Sequence, residues 1–379
     1  MSGVVIIGGG HAGVTTAQQL RRLGYTDRVV ILSDEGAPYD RPSLSKQILD
    51  GDPPSIMERD TLEDLGIELL AACPVEALTP SGAMAGGACF VADHYVLATG
   101  ARAAMPASFP RLPNIHALRS ATDARWLRLD LDGAEDVVLV GGGLVNSELA
   151  SVLSLRGGTR VHVVDPVPSP LERLVGRHVG AELERRISEA GVTTRRSLVR
   201  RVATTGHSLL VDLDSGDRLR ADCMVVGVGA IPRTELAAEA GAAVDDGVVC
   251  DAEGRTTVPG LFAVGDVASW PSRRFGRMRT GHWKTAVDQA SIVAHVIAGG
   301  TSTPPPEPVP WFWTEQFGVR VEVAGVVRPG RREQIAQRGV DTLEVVVETV
   351  DGEVEAVVGM NSFRACRRFR QGKQWEVAS

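Results

Sequence analysis

Short apolar runs alternate with a helical apolar pattern at the start of the chain. Residues 4–7 form a continuous β-branched run, residues 15–23 carry apolar side chains at helical spacing, and residues 29–32 form a second apolar run. An uninterrupted apolar run between turns is typical of a strand that is buried on both faces, as in parallel sheets. The pattern therefore predicts a β-α-β unit.

The same pattern returns in the middle of the chain. Residues 137–140 are an apolar run, glycines follow at 141–143, a helical pattern extends to Leu155, and residues 161–164 form another apolar run. Two copies of one β-α-β device indicate a doubly wound α/β protein. We predict an α/β fold with two Rossmann-like, three-layer dinucleotide-binding domains and a small α+β domain at the C-terminus.

Changes in composition suggest where these domains meet. Prolines at positions 304, 305, 306, 308 and 310 favour an extended linker. Beyond it, residues 320–327, 343–350 and 354–359 have strand patterns, with a hairpin turn at Asp351-Gly352. We predict one nucleotide-binding domain from residues 1–112 and 240–303, a second from residues 113–239, and a C-terminal domain from residues 304–379.

A glycine turn follows the first predicted strand. Gly8, Gly10 and Gly13 match G-x-G-x-x-G between a strand and a helix, where the backbone can approach a pyrophosphate and the helix N-terminus attracts it. Asp34 and Glu35 follow the second strand about 20 residues later, where a carboxylate can accept hydrogen bonds from a ribose. We prefer Asp34, which is nearer to the strand end; a solvated acidic turn is the alternative.

The second glycine turn departs from the full motif. Gly141 and Gly143 are in place and Leu144 and Val145 open the helix, but Asn146 stands at the third glycine position. A glycine there permits close packing of the helix on its strand. We therefore expect Asn146 to push the helix slightly away.

The residue that closes the following strand indicates which nicotinamide nucleotide binds. Asp165 occupies the ribose position, and its charge favours NADH because it would repel the additional phosphate of NADPH. Arg156 and Arg160 lie near in the sequence and leave NADPH open as the less favoured ligand.

Three further predicted strands, residues 95–98, 224–228 and 261–264, end in glycine turns. Ligands bind open α/β sheets at such strand ends. The candidate binding residues in these turns are Thr99, Gly100, Gly229, Gly265 and Asp266.

Composition narrows the classes of function. The formal net charge is −7, which argues against binding to a nucleic-acid backbone. No apolar run approaches the length of about 20 residues that a membrane-spanning helix requires, and the first residues lack the pattern of a signal peptide. We expect a soluble, cytoplasmic protein that binds neither membranes nor nucleic acid.

The five cysteines are scattered and include no Cys-x-x-Cys pair. Dithiol and metal chemistry need close spacing, so we predict no metal site and interpret all five as small packing residues. A lone catalytic cysteine is the alternative.

Two longer stretches resemble a known family. Residues 39–46 (YDRPSLSK) and 310–317 (PWFWTEQF) are similar to stretches of the FAD-dependent ferredoxin and rubredoxin reductases, which include putidaredoxin-reductase-like proteins and share the glutathione-reductase-like architecture. The resemblance covers nearly the whole chain. It implies FAD contacts at Ala12, Asp34, Arg41, Lys46, Val75, Arg119, Asp266 and Trp283.

The resemblance also implies roles at the reacting centre. Lys46 would place a cation near N5 and N1 of the flavin, and Glu148, which matches a glutamate near the nicotinamide, would pair with Lys46 when no nucleotide is bound. A helix-dipole acid is the alternative reading of Glu148. Trp283 and Trp313 would wall the flavin, and His282 is either a structural histidine or a proton donor.

These features together predict an oxidoreductase. We expect an NADH-dependent FAD flavoprotein that passes electrons one at a time to a [2Fe-2S] ferredoxin of a P450 or Rieske oxygenase system. An NADH oxidase, a quinone reductase, a redox-responsive binding protein similar to apoptosis-inducing factor and a nearly inactive flavoprotein are the alternatives.

A basic cluster in this acidic chain suggests where a partner docks. Such iron-sulfur carriers are commonly acidic, and opposite charge steers partners together. The cluster consists of Arg273, Arg274, Arg277 and Arg279. The alternative is that these arginines form a solvated basic loop with no partner protein.

Overall fold

The computed structural model describes residues 3–167, 169, 171–299 and 307–372. In chain order its strands are β1 (Gly3–Ile7), β2 (Arg28–Leu32), β3 (Ile67–Leu70), β4 (Val75–Thr79), β5 (Gly82–Ala85), β6 (Ala88–Phe90), β7 (His94–Leu97), β8 (Ala101–Ala103), β9 (Ile115–His116), β10 (Asp136–Val140), β11 (Arg160–Asp165), β12 (Thr193–Arg196), β13 (Val199–Thr205), β14 (Ser208–Leu213), β15 (Arg218–Ala221), β16 (Cys223–Val226), β17 (Ala230–Pro232), β18 (Val248–Val249), β19 (Leu261–Ala263), β20 (Ala268–Ser269), β21 (Trp311–Gln316), β22 (Val319–Gly325), β23 (Arg332–Arg338), β24 (Leu343–Glu348) and β25 (Val354–Met360). The α-helices are α1 (His11–Arg22), α2 (Ser43–Lys46), α3 (Arg59–Asp64), α4 (Ala121–Leu131), α5 (Leu144–Arg156), α6 (Glu172–Glu189), α7 (Glu235–Glu239), α8 (Trp283–Ile297) and α9 (Arg364–Arg370).

One compact unit comprises residues 1–40, 54–102 and 231–310. Its main sheet is parallel, in the order β19-β7-β1-β2-β3, and β1 at its centre is buried along its whole length. Helix α1 packs against α8 and buries Leu20. Burial on both faces explains why the first apolar run has no polar residue in it.

The second compact unit comprises residues 41–53, 103–230 and 311–379. It contains a second parallel sheet, in the order β12-β11-β10-β16-β9, and an antiparallel meander of β13, β14 and β15. Helix α5 follows β10, so the second β-α-β unit is confirmed.

The last part of the second unit is an antiparallel sheet in the order β21-β22-β25-β24-β23. Helices α6 and α9 pack against it. Its core includes Val321, Val345 and Val358, which are fully buried. The predicted α/β fold with two Rossmann-like domains and a small α+β C-terminal domain is confirmed.

Several local expectations need correction. The C-terminal sheet has five strands, of which β21 and β23 were not predicted; β23 is largely exposed and carries no apolar alternation. Strand β16 ends at Val226, before the predicted end at residue 228, because the chain bends at Val228. The prolines at 304–306 lie outside the described residues. The residue bounds predicted for the three domains stay a prediction.

In the part of the chain that the structure describes, no helix combines the length and the apolar character needed to cross a membrane.

Candidate functional site

The first glycine turn, in the first unit, is shaped for close backbone approach. Gly8 has a φ of +121°, and a Cβ there would lie 2.2 Å from the carbonyl oxygen of Ala98. A Cβ on Gly13 would lie 1.9 Å from the carbonyl oxygen of Gly8. Helix α1 begins after Gly10. Its first turn lies within the described residues and has neither a side-chain cap nor an acidic residue. Its free N-terminal amides suit an anionic group.

The two acidic candidates beyond β2 both have protein partners. A carboxylate oxygen of Asp34 lies 2.6 Å from Arg233 Nη1, and both side chains are about 40% exposed. Glu35 accepts a hydrogen bond from the Tyr39 hydroxyl at 2.5 Å. A carboxylate has about four acceptor positions, so Asp34 keeps capacity for a further donor.

The turn after β19 brings together residues from distant parts of the same unit. Gly265 donates its N–H to Gln289 Oε1 at 2.8 Å, and Asp266 lies in the short 3₁₀ turn Gly265–Val267. A Cβ on Gly265 would lie 3.1 Å from the Cβ of Ala12. The first glycine turn, Gly265 and helix α8 are therefore neighbours.

Other candidates in this unit have clear positions. The ring centroids of Trp283 and His11 are 5.9 Å apart, and His11 Nε2 lies 3.1 Å from Asp40. Thr99 donates its hydroxyl to the carbonyl of Arg233 at 2.9 Å, and Val75 begins strand β4. Gly100 has a φ of +68°.

Burial decides between the two interpretations of His282. It lowers the pKa of His282 from 6.5 to about 4, while the negative charge of Asp266 acts in the opposite direction. His282 is therefore neutral at pH 7, which favours a structural role over that of an imidazolium proton donor.

The depressed pKa makes a prediction about acid stability. The unfolded chain binds a proton at His282 near pH 6.5 and the folded chain only near pH 4, so stability is lost as the pH falls through this interval. We expect His282→Asn to flatten the fall in the free energy of unfolding between pH 7 and pH 5, by at most about 1.4 kcal/mol per pH unit, as urea unfolding at each pH measures. Asn at the exposed His207 is the matched control, and an H282N slope equal to that of wild type would contradict the assignment.

The second glycine turn, in the second unit, repeats the geometry of the first. Gly141 has a φ of +90°, and a Cβ there would lie 2.4 Å from the carbonyl oxygen of Gly227. Helix α5 begins at Leu144 after Gly143, again with no side-chain cap and no acid in its fully described first turn. Val145, in that turn, is exposed. This turn also suits an anionic group.

Asn146 is accommodated by bonding rather than by simple displacement. Its side-chain amide donates to the carbonyls of Val140 at 3.0 Å and Gly141 at 2.8 Å, and it is 1% exposed. A Cβ on Gly227 would lie 2.6 Å from Asn146 Nδ2. The third glycine is thus replaced by a side chain that ties the helix to the end of its strand.

Asp165 is fixed at the end of β11. Its two carboxylate oxygens accept the N–H groups of Gly142 and Val167, each at 2.8 Å. Arg156 donates to Leu131 and Asp132, and Arg160 binds Asp136. The two arginines near in sequence therefore bind groups other than Asp165. Arg196 is in register with Asp165 on β12 and is exposed.

Lys46 and Glu148 form the expected ion pair. Lys46 Nζ lies 2.8 Å from Glu148 Oε1, and the side chains are 20% and 6% exposed. Lys46 Nζ also lies 5.0 Å from the ring centroid of Trp313, and Arg320 Cζ lies 4.7 Å from the same centroid. The structure therefore brings a buried carboxylate, two cations and an indole together at one place in the second unit.

Arg41 and Arg119 are also neighbours in this unit. Arg41 Nη1 donates to the carbonyl oxygen of Arg119 at 3.0 Å, and the Arg119 N–H donates to Asp123 at 3.1 Å. Gly229 has a φ of +124°. These contacts hold the side chain of Arg41 and the backbone of Arg119 in place.

Sequence reasoning missed a basic surface on α9. Its exposed side chains, the α9 arginines, are Arg364, Arg367, Arg368 and Arg370. Arg370 Cζ lies 4.2 Å above the ring of Trp311, and Arg320 lies 5.3 Å from the ring of Phe363. The signal was present in the segment RACRRFR, but without the fold nothing connected it to the aromatic strand β21.

The arginines of the predicted basic cluster differ in their contacts and exposure. Arg277 donates to the carbonyls of Cys250 and Ser269, and Arg279 lies 3.1 Å from Asp246. Arg273 and Arg274 are exposed.

The cysteines need one correction. Cys223, Cys250 and Cys366 are buried and Cys73 is half-buried, but Cys89 is exposed, because the short strand β6 lies at the surface. Burial raises the pKa of Cys250 and of Cys366 to about 12, and raises that of Cys223 further. All five cysteines lie within the described residues and are free thiols. The described residues contain no group of side chains that could hold a metal.

Comparison with known proteins agrees with this geometry. Residues 2–290 match the model of the family described as pyridine nucleotide-disulphide oxidoreductase. The chain is 36% identical to the benzene 1,2-dioxygenase system ferredoxin–NAD(+) reductase subunit of Pseudomonas putida, over 95% of this chain and 90% of that protein. It is 37% identical to the chlorobenzene dioxygenase ferredoxin reductase component of Cupriavidus sp., with the same coverage.

Solved structures give the same result. A ferredoxin reductase from Rhodopseudomonas palustris matches with a TM-score of 0.90 and 30% identity, over 98% of this chain and 95% of that one. The covalent putidaredoxin reductase–putidaredoxin complex matches with a TM-score of 0.89 and 29% identity, over 97% and 92% of the two chains. The resemblance found in the sequence motifs is confirmed. This chain is an oxidoreductase that belongs to the pyridine nucleotide-disulphide oxidoreductase family, among its ferredoxin reductases.

Proposed function

We propose that this chain is an NADH-dependent FAD reductase that delivers electrons singly to a [2Fe-2S] ferredoxin of a P450 or Rieske oxygenase system. The contact of 2.8 Å between Lys46 and Glu148 carries the proposal, because Glu148 belongs to the helix that starts at the second glycine turn. That helix therefore connects a nucleotide-binding end with a buried carboxylate that pairs with a half-buried cation. The names of relatives that are ferredoxin–NAD(+) reductases support the same conclusion.

The residues at the first glycine turn fit FAD. The uncapped amides of α1 suit its diphosphate. Backbone atoms occupy the space that a Cβ on Gly8 or Gly13 would need, so the turn requires glycine at both positions. Bound FAD would accept a hydride from NADH and release its electrons one at a time. The protein's own part is to bind, to orient and to exclude water. The FAD roles that the resemblance implies for Arg41, Arg119 and the other candidate residues stay predictions.

Two observations favour NADH over NADPH. Asp165 is held at the strand end beside the second glycine turn, where its charge opposes a 2′-phosphate. Arg156 and Arg160 bind backbone and acidic groups elsewhere and are not directed at Asp165. Arg196 is exposed beside Asp165. If the protein uses NADPH weakly, the positive charge of Arg196 is what would attract the additional phosphate.

An acidic ferredoxin suits either of two basic surfaces. The loop surface offers Arg273 and Arg274, while the α9 arginines are four exposed cations on one short helix. The α9 surface is the stronger candidate, because it carries four exposed arginines next to the aromatic residues of β21, against two on the loop. The cytoplasmic location expected from the sequence also stays a prediction.

The test is anaerobic stopped-flow spectroscopy of the FAD-loaded protein. Flavin absorbance is followed after mixing with NADH or NADPH, with and without a [2Fe-2S] ferredoxin. We expect fast bleaching by NADH, slower bleaching by NADPH, and rapid reoxidation by ferredoxin. Slow bleaching by both nucleotides, or reduced flavin that oxygen or a quinone discharges and ferredoxin does not, would contradict the proposal.

A further inference from the structure

The carboxylate of Glu148 is surrounded by more donors than its ion pair requires. Oε1 contacts Lys46 Nζ at 2.8 Å and also accepts the hydroxyl of Thr314 at 2.6 Å. Oε2 accepts the hydroxyl of Ser45 at 2.5 Å. Glu148 is 5% exposed and Thr314 is fully buried. Two neutral donors therefore share one buried carboxylate with a lysine.

The hydroxyl of Thr314 is oriented by a series of hydrogen-bonded side chains. Gln316 Nε2 donates to Thr314 Oγ1 at 3.3 Å, and the hydroxyl of Ser147 donates to Gln316 Oε1. Thr314 and Gln316 are two residues apart on β21, so they lie on one face of the strand. Since Thr314 accepts from Gln316, its own proton is directed to Glu148. Successive hydrogen bonds in one direction strengthen each other.

The two hydroxyl donors differ in what they are attached to. Ser45 is the neighbour of Lys46 in the short helix α2, so it moves with the backbone of Lys46. Thr314 belongs to β21, which is paired along its length with β22. Thr314 is therefore held by a segment of chain separate from the one that carries Lys46.

A buried carboxylate that loses its cation is costly unless other donors remain. Lys46 has a second role, because the family resemblance implies that its charge lies near the flavin during hydride transfer. Lys46 can leave Glu148 only if the carboxylate stays satisfied. Thr314 bonds the same oxygen, Oε1, that Lys46 would vacate.

We propose that Thr314, oriented by Gln316, is a positioning residue that keeps Glu148 hydrogen-bonded when Lys46 leaves it, and so sets how readily Lys46 is released for hydride transfer. This inference rests on the proposed function. It adds to the ion pair a fixed donor that controls the equilibrium between its paired and released states.

The test compares Thr314→Val, which removes the hydroxyl at nearly constant shape, with Thr314→Ser, which keeps it, in the FAD-loaded protein. For T314V we expect the limiting rate of flavin reduction by NADH to fall about tenfold, as a lost hydrogen bond to a charged group predicts. The apparent dissociation constant for NADH should stay within about twofold, because the effect follows binding. T314S should restore most of the rate.

A second measurement does not depend on turnover. If Lys46 stays with Glu148 for longer in T314V, less positive charge stabilises the reduced flavin, and the midpoint potential of the bound FAD becomes more negative. A purely structural role for Thr314 would not shift the potential and would impair T314S and T314V alike. Ser45→Ala should have the smaller effect, because Ser45 bonds Oε2 and not Oε1, the oxygen that Lys46 would vacate.

The outcomes separate the two proposals. If wild type is not reduced by NADH, the proposed function fails. If wild type is reduced rapidly and T314V matches it in rate and potential, the positioning role of Thr314 is wrong while the function stands. Should T314V not retain FAD, Gln316→Met tests the same series of hydrogen bonds. A lower rate of flavin reduction is then expected, and an unchanged rate would contradict the inference.

Discussion

Replacing Lys46 with methionine is expected to slow the reduction of bound FAD by NADH about 100-fold, the size of effect seen when a charge-stabilising group is removed from a reacting centre. The same change should lower the free energy of unfolding by about 3 kcal/mol, because it leaves the buried carboxylate of Glu148 without a cation. We place the loss at the lower end of the usual range, since Ser45 and Thr314 remain as donors. Urea unfolding and anaerobic stopped-flow measure the two effects.

A double variant separates stability from chemistry. Lys46→Met combined with Glu148→Leu removes both charges and should recover most of the stability, while flavin reduction stays slow. Lys284→Met is the matched control for stability, because Lys284 forms an ordinary i,i+4 pair with Asp288 on helix α8, and should cost less than about 0.5 kcal/mol. If K46M reduced its flavin as fast as wild type, Lys46 would have no part in hydride transfer.

Reversing two of the α9 arginines, Arg364→Glu with Arg367→Glu, is expected to raise the KM for an acidic ferredoxin at least about tenfold at low salt. Both side chains are exposed, so the fold should be unaffected. The rate of flavin reduction by NADH should not change, because the small nucleotide does not need this surface. Ferredoxin reduction measured over a range of ionic strength checks the effect, which should shrink as salt screens the charges.

The matched control reverses Arg273 and Arg274, which are also exposed, and so changes the net charge by the same amount on the loop surface. If the loop variant raises the KM and the α9 variant does not, docking is at the loop, as the sequence first suggested. If neither changes the KM, charge at these two surfaces does not guide the ferredoxin.

The parts of the fold that were readable from sequence are those fixed by local rules. Apolar runs followed by glycine turns indicated β1 with α1 and β10 with α5, because parallel strands are buried on both faces and only glycine permits the turns at Gly8 and Gly141. Strand β23 was not predicted, because an exposed strand has no periodic apolar pattern in its sequence.

The candidate site was readable only in part, for a different reason. Lys46 and Glu148 could be paired because a family motif contained each of them. Thr314 and Gln316 lie in the family-like stretch 310–317, but that stretch did not indicate their roles. Those roles depend on which side chain lies across from β21, and residue 148 is far from both in the chain. Contacts of that kind are set by tertiary packing, which spacing along a sequence does not encode.

The amide of Asn146 has a consequence for how such chains are found. A search for three glycines in the second turn would pass over this protein, although its strand and helix are tied together by Asn146. The asparagine has its own requirement, because any side chain at Gly227 would collide with it. Chains with asparagine at the third position should therefore keep glycine at the end of the neighbouring strand. A pattern that joins these two positions would recover nucleotide-binding sequences that the three-glycine pattern rejects.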